Sequence, residues 1–282
     1  MKTSEVRLRD PFVLVDQGTY YLYGTRGKAG NNQVGFDCYM GHDLENWEGP
    51  FDVFEPDEDF WATKEFWAPE VHHYEGSYYM FASFKADGVC RGTQILKANS
   101  PKGPFKIHSD GPITPRDWEC LDGTLYISKN GTPYMVFCHE WVQIKDGTIC
   151  AVELSKDLKS PVGEPRTLFY ATEGGNWICP PSNGGIGDYV TDGPFLHRLE
   201  DDTLIMMWSS FGKDGYIQAI AESDNGEITG NWKTREKLLF EKDGGHGMLF
   251  VGLDEKLYLT LHSPNITPRE APKFIEISEK DL

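Results

Sequence analysis

The sequence predicts an all-β protein, a five-bladed β-propeller with four-stranded antiparallel blades around a central channel. Three observations favour this fold class. Aromatic residues make up 13% of the 282 residues, Gly (30) and Pro (17) interrupt the chain at short intervals, and one two-strand unit recurs five times. Short strands joined by turns and repeated at regular intervals are typical of propeller blades. Because the composition does not shift along the chain, we expect a single domain over residues 1–282.

Each repeated unit begins with a short apolar strand headed by an acidic or polar residue. A turn rich in Gly, Asp or Asn follows, and then a strand dense in Tyr, Leu, Met and Trp. The five strand pairs are 10–15 with 19–23, 69–74 with 77–81, 122–127 with 133–137, 192–196 with 203–208, and 246–251 with 257–261. The heads at 10, 70, 122, 192 and 246 are 60, 52, 70 and 54 residues apart, which is the size of a blade.

Several units continue into a third strand and a polar turn, at 40–48, 97–105, 153–158 and 221–226. These additions complete most of a four-stranded antiparallel blade. A β-sandwich also has short strands with regular turns, but a repeat this long favours the propeller.

Charge and composition exclude several classes of partner. The net charge of −17 repels phosphate backbones and anionic lipids, so we expect neither nucleic acid nor membrane as a partner. The six cysteines show no CxxC spacing, and neither a zinc site nor a disulfide framework is indicated. The first residues lack the apolar stretch of a signal peptide, which predicts a cytoplasmic protein, with a secreted protein in trimmed form as the alternative. The sequence does not indicate an oligomeric state.

Three of the five heads are aspartates, namely Asp10, Asp122 and Asp192. In a propeller the first strand of each blade lies nearest the axis, so we expect these side chains to converge at one end of the channel. Cleavage of a glycosidic bond needs two carboxyl groups, one to protonate the leaving oxygen and one to activate water or attack the sugar. A third carboxylate raises the pKa of the acid by repulsion between like charges. Each aspartate taken alone is typical of a turn, so this hypothesis depends on their shared place in the repeat.

The other two heads are Glu70 and His246. Glu70 is interpreted as a residue that either binds the substrate or forms hydrogen bonds with neighbouring residues. His246 lies between glycines, which let other groups approach closely. A structural calcium ion on the propeller axis is one hypothesis for this position, held by His246 through water because calcium prefers oxygen ligands. No cofactor is expected to be required.

The motifs Arg9-Asp10-Pro11-Phe12 and Trp67-Ala68-Pro69-Glu70 resemble those of glycoside hydrolase family 43, the five-bladed arabinanases, arabinofuranosidases and xylosidases. The resemblance implies that Asp10 is the general base and that Asp122 adjusts the pKa of the acid. It places the general acid in the fourth blade, where the family has Glu in a Glu-Gly-Pro setting and this chain has Asp192 before Gly-Pro. It also implies inversion of the anomeric centre.

Two departures from that pattern concern side-chain length. Asp192 is one methylene shorter than the Glu of the family, and Glu70 stands where the family usually has Asp. Two opposite changes of length suggest a reshaped pocket. Glu140, which follows the second strand of the third unit, is an alternative acid.

Five aromatic residues near the heads are candidates to stack on sugar faces, although each is equally consistent with packing between blades. They are Phe66, Trp67, Trp118, Trp141 and Trp177. The glycine-rich stretch 173–187, just before Asp192, is expected to form a long loop at the rim of the site.

The sequence therefore predicts an inverting glycoside hydrolase that removes terminal pentose units from small arabinose- or xylose-containing oligosaccharides. The shortened residue Asp192 leaves open a sugar-binding propeller that has lost catalysis. A glycoside phosphorylase on the same fold is a further alternative, although no clear cluster of Arg or Lys stands at the heads.

Overall fold

A computed structural model describes residues 1–26 and 33–282 as five antiparallel sheets that form a five-bladed propeller. This confirms the predicted fold class. The first blade comprises β1 (Leu8–Asp16), β2 (Thr19–Arg26), β3 (Phe36–Gly41) and β4 (Glu48–Phe54). The second comprises β5 (Lys64–Tyr74), β6 (Ser77–Ala86), β7 (Val89–Ala98) and β8 (Lys106–Ile107).

The third blade comprises β9 (Cys120–Ile127), β10 (Pro133–His139), β11 (Thr148–Leu154) and β12 (Pro161–Tyr170). The fourth comprises β13 (Asp192–Arg198), β14 (Leu204–Gly212), β15 (Gly215–Ser223) and β16 (Trp232–Thr234). The fifth comprises β17 (Gly245–Val251), β18 (Leu257–His262) and β19 (Pro272–Ile277). Over the described residues this last sheet has three strands, whereas four were expected.

In the described part of the chain, helical structure is confined to three short segments, the 3-10 turns Thr3–Glu5 and Ala171–Gly174 and the α-helix α1 (Trp141–Ile144). None of the helices in residues 1–26 and 33–282 has the length and apolar character that a transmembrane span requires.

Aromatic side chains fill the spaces between neighbouring blades. Phe36 and Phe54 of the first blade pack against Phe66 and Phe84 of the second, with the rings of Phe66 and Phe84 edge to face at 5.1 Å. Such contacts bury large apolar areas and have a preferred geometry. Aromatic side chains therefore join the first blade to the second.

The ring closes through non-covalent contacts between the first and fifth blades. The ring of Trp47 lies 5.7 Å from that of Phe274, and the ring of Tyr20 lies 6.1 Å from that of Phe250. The backbone N–H of Leu253 also donates a hydrogen bond of 2.7 Å to Tyr20 Oη. The first blade therefore packs against the fifth through side chains.

All five first strands carry the same β-bulge near their start. In each blade two residues of the first strand lie opposite one residue of the second. The first bulged residue has a left-handed backbone in every blade, with φ of 54°, 45°, 56°, 47° and 52° at Asp10, Ala68, Asp122, Gly193 and His246. A bulge re-aims side chains beside a site. The bulges therefore define the true phase of the repeat.

This phase corrects the alignment expected from the sequence. Asp10, Asp122 and His246 are equivalent, but Glu70 lies two residues after the bulge position, which Ala68 occupies. Asp192 lies one residue before its bulge position, which Gly193 occupies. A Cβ atom on Gly193 would lie 2.7 Å from Cγ of His246, so glycine is needed there for space as well as for its positive φ.

Hydrogen bonds link the bulges from blade to blade. In four of the five blades the bulge N–H donates to the side chain of the second-strand residue of the preceding blade. The pairs are Ala68 to Thr25 (2.7 Å), Asp122 to Ser83 (2.9 Å), His246 to Ser209 (2.7 Å) and Asp10 to His262 (3.2 Å). In the fourth blade the preceding residue is Cys138, and Gly193 N–H instead donates to Asp122 Oδ2 at 3.1 Å. The bulges thus hold two of the aspartates in a fixed frame.

Candidate active site

A cavity of about 370 Å³ lies where the five first strands begin, and every blade contributes to its wall. Residues at or just before the bulges form its floor, among them Asp10, Asp122, Asp192 and His246. The wall includes Arg9, Thr25, Phe66, Trp67, Glu140, Trp141, Tyr216, Asn265, Thr267 and Glu270. A concave site with a few convergent polar groups is where a small ligand is expected to bind.

The structure brings the three predicted aspartates together around His246. Nδ1 of His246 lies 3.3 Å from Asp10 Oδ1, 3.6 Å from Asp122 Oδ2 and 3.9 Å from Asp192 Oδ1. The side chain of Asp192 is 21% exposed, whereas that of Asp122 is 4% exposed. Of Asp122 and Asp192, Asp192 is therefore the one that a bound ligand can touch.

Asp10 is held in its ionised form. Burial alone would raise its pKa, but His246 and Arg9 together with a hydrogen bond from Thr25 outweigh burial and bring the pKa below its usual value of 3.8. Thr25 Oγ1 donates to Asp10 Oδ2 at 2.6 Å. Burial lowers the pKa of His262 to about 4, so this imidazole is neutral at neutral pH. Asp10 is consequently an ionised carboxylate that can accept a proton.

Asp122 has the opposite character. Burial, the charge and hydrogen bond of Asp192 and the charge of Asp10 raise the pKa of Asp122 well above 3.8, although the hydrogen bond from Gly193 N–H opposes the shift. Two buried carboxyl groups in contact cannot both ionise readily. The pair therefore retains a proton at pH values where a free carboxyl group has lost it.

Tyr216 fixes the orientation of Asp192. Its hydroxyl group donates a hydrogen bond of 2.5 Å to Asp192 Oδ2. Burial and the neighbouring Asp192 and Asp10 raise the pKa of Tyr216 well above 10, so the phenol keeps its proton. Asp192 Oδ1 is then the oxygen that remains on the side of His246.

Glu140, the alternative acid, lines the cavity but forms an ion pair with the buried Arg91. Arg91 also binds Glu65 at 2.5 Å, and its guanidinium carbon lies 4.3 Å from the ring centroid of Trp67. A guanidinium group in contact stabilises the ionised form of a carboxyl group. The surroundings of Glu140 therefore disfavour proton donation.

The candidate sugar-binding residues divide into two groups. Phe66, Trp67 and Trp141 line the cavity. The lining residues do not include Trp118, which stacks on His139 at 4.2 Å, or Trp177, which packs 5.5 Å from Trp208. Glu70 also lies away from the lining, and its Oε2 pairs with Nε2 of His72 at 3.0 Å.

Several residues around the site were not identified from the sequence, notably Thr25, Tyr216, His262 and Glu270. Thr25 and His262 occupy the same place in the second strands of the first and fifth blades, opposite the residue before the bulge. An alignment of second-strand ends across the repeat contains this signal. Glu270 lies in the loop between β18 and β19, outside the repeated strand pairs, so a comparison of the strands does not identify it.

A metal ion at the aspartates would conflict with the proton that they hold. Asp122, Asp192 and His246 offer ligand atoms within 4.8 Å of one another, and carboxylate oxygens suit a hard cation such as calcium. A divalent cation bound directly to these carboxyl groups would, however, favour their ionised forms and displace the shared proton. The three groups do not fit a direct ligand set for a working acid, and an axial ion held through water by His246 stays a prediction.

Several known proteins are similar to this chain in structure or in sequence. An endo-arabinase structure from Bacteroides thetaiotaomicron is 43% identical, with a TM-score of 0.92 over 100% of this chain and 98% of that chain. An extracellular endo-α-(1→5)-L-arabinanase of Bacillus subtilis is 23% identical over 89% of this chain and 75% of its own length. An extracellular exo-α-(1→5)-L-arabinofuranosidase of Cellvibrio japonicus is 25% identical over 92% of this chain and 80% of its own length.

The sequence model of the glycosyl hydrolases of family 43 matches residues 3–274, a span that reaches into all five blades and includes every residue of the aspartate cluster. Since the match extends from the first blade to the last, the chain belongs to family 43 and is a glycoside hydrolase.

Proposed function

We propose that this enzyme hydrolyses α-L-arabinofuranosyl bonds in arabinan-derived oligosaccharides. The observation that carries the reaction is the contrast between Asp10, whose pKa is lowered, and Asp122, whose pKa is raised beside Asp192, with all three carboxyl groups around His246. The names of three relatives, two of them arabinanases and one an arabinofuranosidase, support arabinose over xylose as the sugar.

In this proposal Asp10 is the general base. It takes a proton from water as the water oxygen attacks the anomeric carbon. Asp192 gives the proton held by the pair to the departing oxygen as the glycosidic bond breaks. Asp122 touches no substrate in this scheme, and its negative charge after proton transfer is stabilised by Gly193 N–H. One water is consumed, and both protons are accounted for.

Exposure and pairing support Asp192 as the acid. Asp122 is more deeply buried than Asp192, and the side chain of Glu140 forms an ion pair with Arg91. The Oδ1 atoms of Asp10 and Asp192, at 3.3 and 3.9 Å from Nδ1 of His246, can be no more than about 7 Å apart, a limit that admits both the inverting range of about 6.5–9.5 Å and the retaining range of about 5–5.5 Å. Inversion therefore requires the attacking water to fit closely between them, and proton NMR of the first-formed anomer tests this.

The decisive experiment compares leaving groups. Proton donation matters for arabinobiose, whose leaving group is a poor one, and matters much less for dinitrophenyl arabinofuranoside. Asp192→Asn should therefore lower kcat/KM on arabinobiose by about 10²–10⁴-fold and spare most of the dinitrophenyl activity. Asp10→Asn should lower both. Glu140→Gln is the matched control, and its effect should not depend on the leaving group.

A panel of nitrophenyl arabinofuranoside, xyloside and galactoside identifies the sugar. Hydrolysis of the xyloside alone would overturn the proposed substrate. A hydrolase uses water rather than phosphate, so the rate should not depend on phosphate. A requirement for phosphate would point instead to a phosphorylase. A leaving-group dependence seen in Glu140→Gln and absent from Asp192→Asn would reassign the acid.

A further inference from the structure

One wall of the cavity comes from the loop 263–271, which joins β18 to β19 in the fifth blade. It contributes the lining residues Asn265, Thr267 and Glu270. Glu270 is only 1% exposed, although it borders the cavity. Its Oε1 atom accepts hydrogen bonds from Arg9 Nη1 at 3.1 Å and from Thr267 Oγ1 at 2.5 Å. One carboxylate oxygen therefore takes both of these donors.

The other oxygen, Oε2, accepts no hydrogen bond from any residue within 1–26 and 33–282. A carboxylate oxygen on the wall of a cavity can accept a hydrogen bond from a donor that enters the cavity. Arg9 lies beside it on the same wall, with its side chain one-third exposed and its Nε atom 3.9 Å from Asp10 Oδ1. The guanidinium group has five N–H donors, more than Glu270 uses. An acceptor and a donor thus lie side by side next to the proposed base.

The loop is held in place before any ligand arrives. Asn265 N–H donates to Asp243 Oδ2 at 3.2 Å, and Asn265 Oδ1 pairs with His262 Nε2 at 3.1 Å. Because His262 Nδ1 accepts from the backbone of Asp10, its Nε2 atom carries the proton of this pair. Because the loop is already ordered, little of the free energy of ligand binding is lost in ordering it.

We infer that Glu270 Oε2 and the Arg9 guanidinium bind two adjacent hydroxyl groups of the sugar unit whose bond is cleaved. One hydroxyl donates to Oε2, and its neighbour accepts from Arg9. A neutral vicinal diol matches Glu270 and Arg9, because one of its hydroxyl groups can donate to the carboxylate while the adjacent one accepts from the guanidinium group. If the proposed function is correct, the unit is arabinofuranosyl. The site then selects the sugar at the point of attack, beside Asp10.

Deoxy substrates test this directly. The substrates are nitrophenyl α-L-arabinofuranoside and its 2-deoxy, 3-deoxy and 5-deoxy analogues, assayed with the parent and with Glu270→Gln. On the full sugar, Glu270→Gln should lower kcat/KM by about 10- to 100-fold, since a hydrogen bond to a charged group is lost. On the one analogue that lacks the partner hydroxyl, parent and variant should differ by at most about threefold.

Thr267→Val is the matched control, because it alters only the Oε1 side of Glu270 and should lower all four activities by one common factor. Arg9→Lys is the second variant, and its loss should disappear on the analogue lacking the adjacent hydroxyl. It decides the matter alone if Glu270→Gln does not fold. Equal losses on every analogue for both variants would overturn the diol site.

The two proposals fail differently. If the parent cleaves only xylosides, the arabinose substrate is wrong, and the same comparison on deoxy-xylosides still decides the role of Glu270. If the parent cleaves arabinofuranosides and no analogue removes the loss, the diol site is wrong and the proposed function stands.

Discussion

Replacing Thr25 with Val would test how the proposed base is held. The hydroxyl group of Thr25 has one proton, and it accepts a hydrogen bond from Ala68 N–H at 2.7 Å. Its own proton must therefore go to Asp10 Oδ2, 2.6 Å away, which stabilises the ionised carboxylate. Valine has nearly the same shape as Thr and makes neither contact. The change removes the polar links and leaves the packing almost intact.

The magnitude follows from the two lost contacts. A hydrogen bond to a charged group contributes about 1.5–3 kcal/mol, and a buried N–H left without an acceptor costs about 1–3 kcal/mol. We expect the free energy of unfolding at neutral pH to fall by about 3–5 kcal/mol, a large part of the stability of an ordinary domain. The pKa of Asp10 should also rise, because a group that lowers it is gone. Since the base must be ionised, the acid limb of kcat/KM should move to higher pH.

The assays are urea unfolding and the pH profile of kcat/KM on whichever aryl glycoside the parent hydrolyses. Thr25→Ser is the matched control, because it keeps both hydrogen bonds and loses only a methyl group. It should leave the acid limb in place. Two results together would contradict this role of the Thr25 hydroxyl. They are a free energy of unfolding for Thr25→Val within about 0.5 kcal/mol of that of the parent, and an unchanged acid limb in its pH profile of kcat/KM.

Two further changes probe the frame and the proton of the site. Gly193→Ala should destabilise the protein far more than Gly18→Ala, because both glycines have positive φ but only the Gly193 Cβ would meet His246, at 2.7 Å; urea unfolding that gave equal losses would contradict this. For Asp122, whose folded pKa is raised, stability is fully present below the unfolded pKa and is lost as pH rises through the folded pKa. The Tm of Asp122→Asn minus that of the parent should therefore increase as the pH rises above 3.8, the ordinary pKa, and through the raised pKa of Asp122, and a difference independent of pH would exclude a shared proton.

The five-bladed fold could be predicted because its signals are local. Turn residues and aromatic strands recur along the chain, and each unit repeats most of a blade without reference to the others. Asp10 and Asp122 could be placed at the axis for the same reason, since both occupy the bulge position of their blades. Asp192 was correctly brought to the cluster, but for a reason that the structure corrects, because it lies one residue before its bulge.

The phase of the bulges depends on which residues pair across strands, and sequence spacing does not specify that register. The repeat therefore suggested Glu70 where the structure has Ala68, and Asp192 where it has Gly193.

By itself, then, the sequence determined the all-β repeat and the aspartates at the heads of the first and third blades. Only the tertiary structure decided that Arg91 pairs with Glu140 and that Glu270 and Arg9, 261 positions apart, meet beside Asp10. Contacts between blades join residues that are distant in sequence, and the free energy of each contact depends on burial and on neighbouring charges that exist only once the ring has closed.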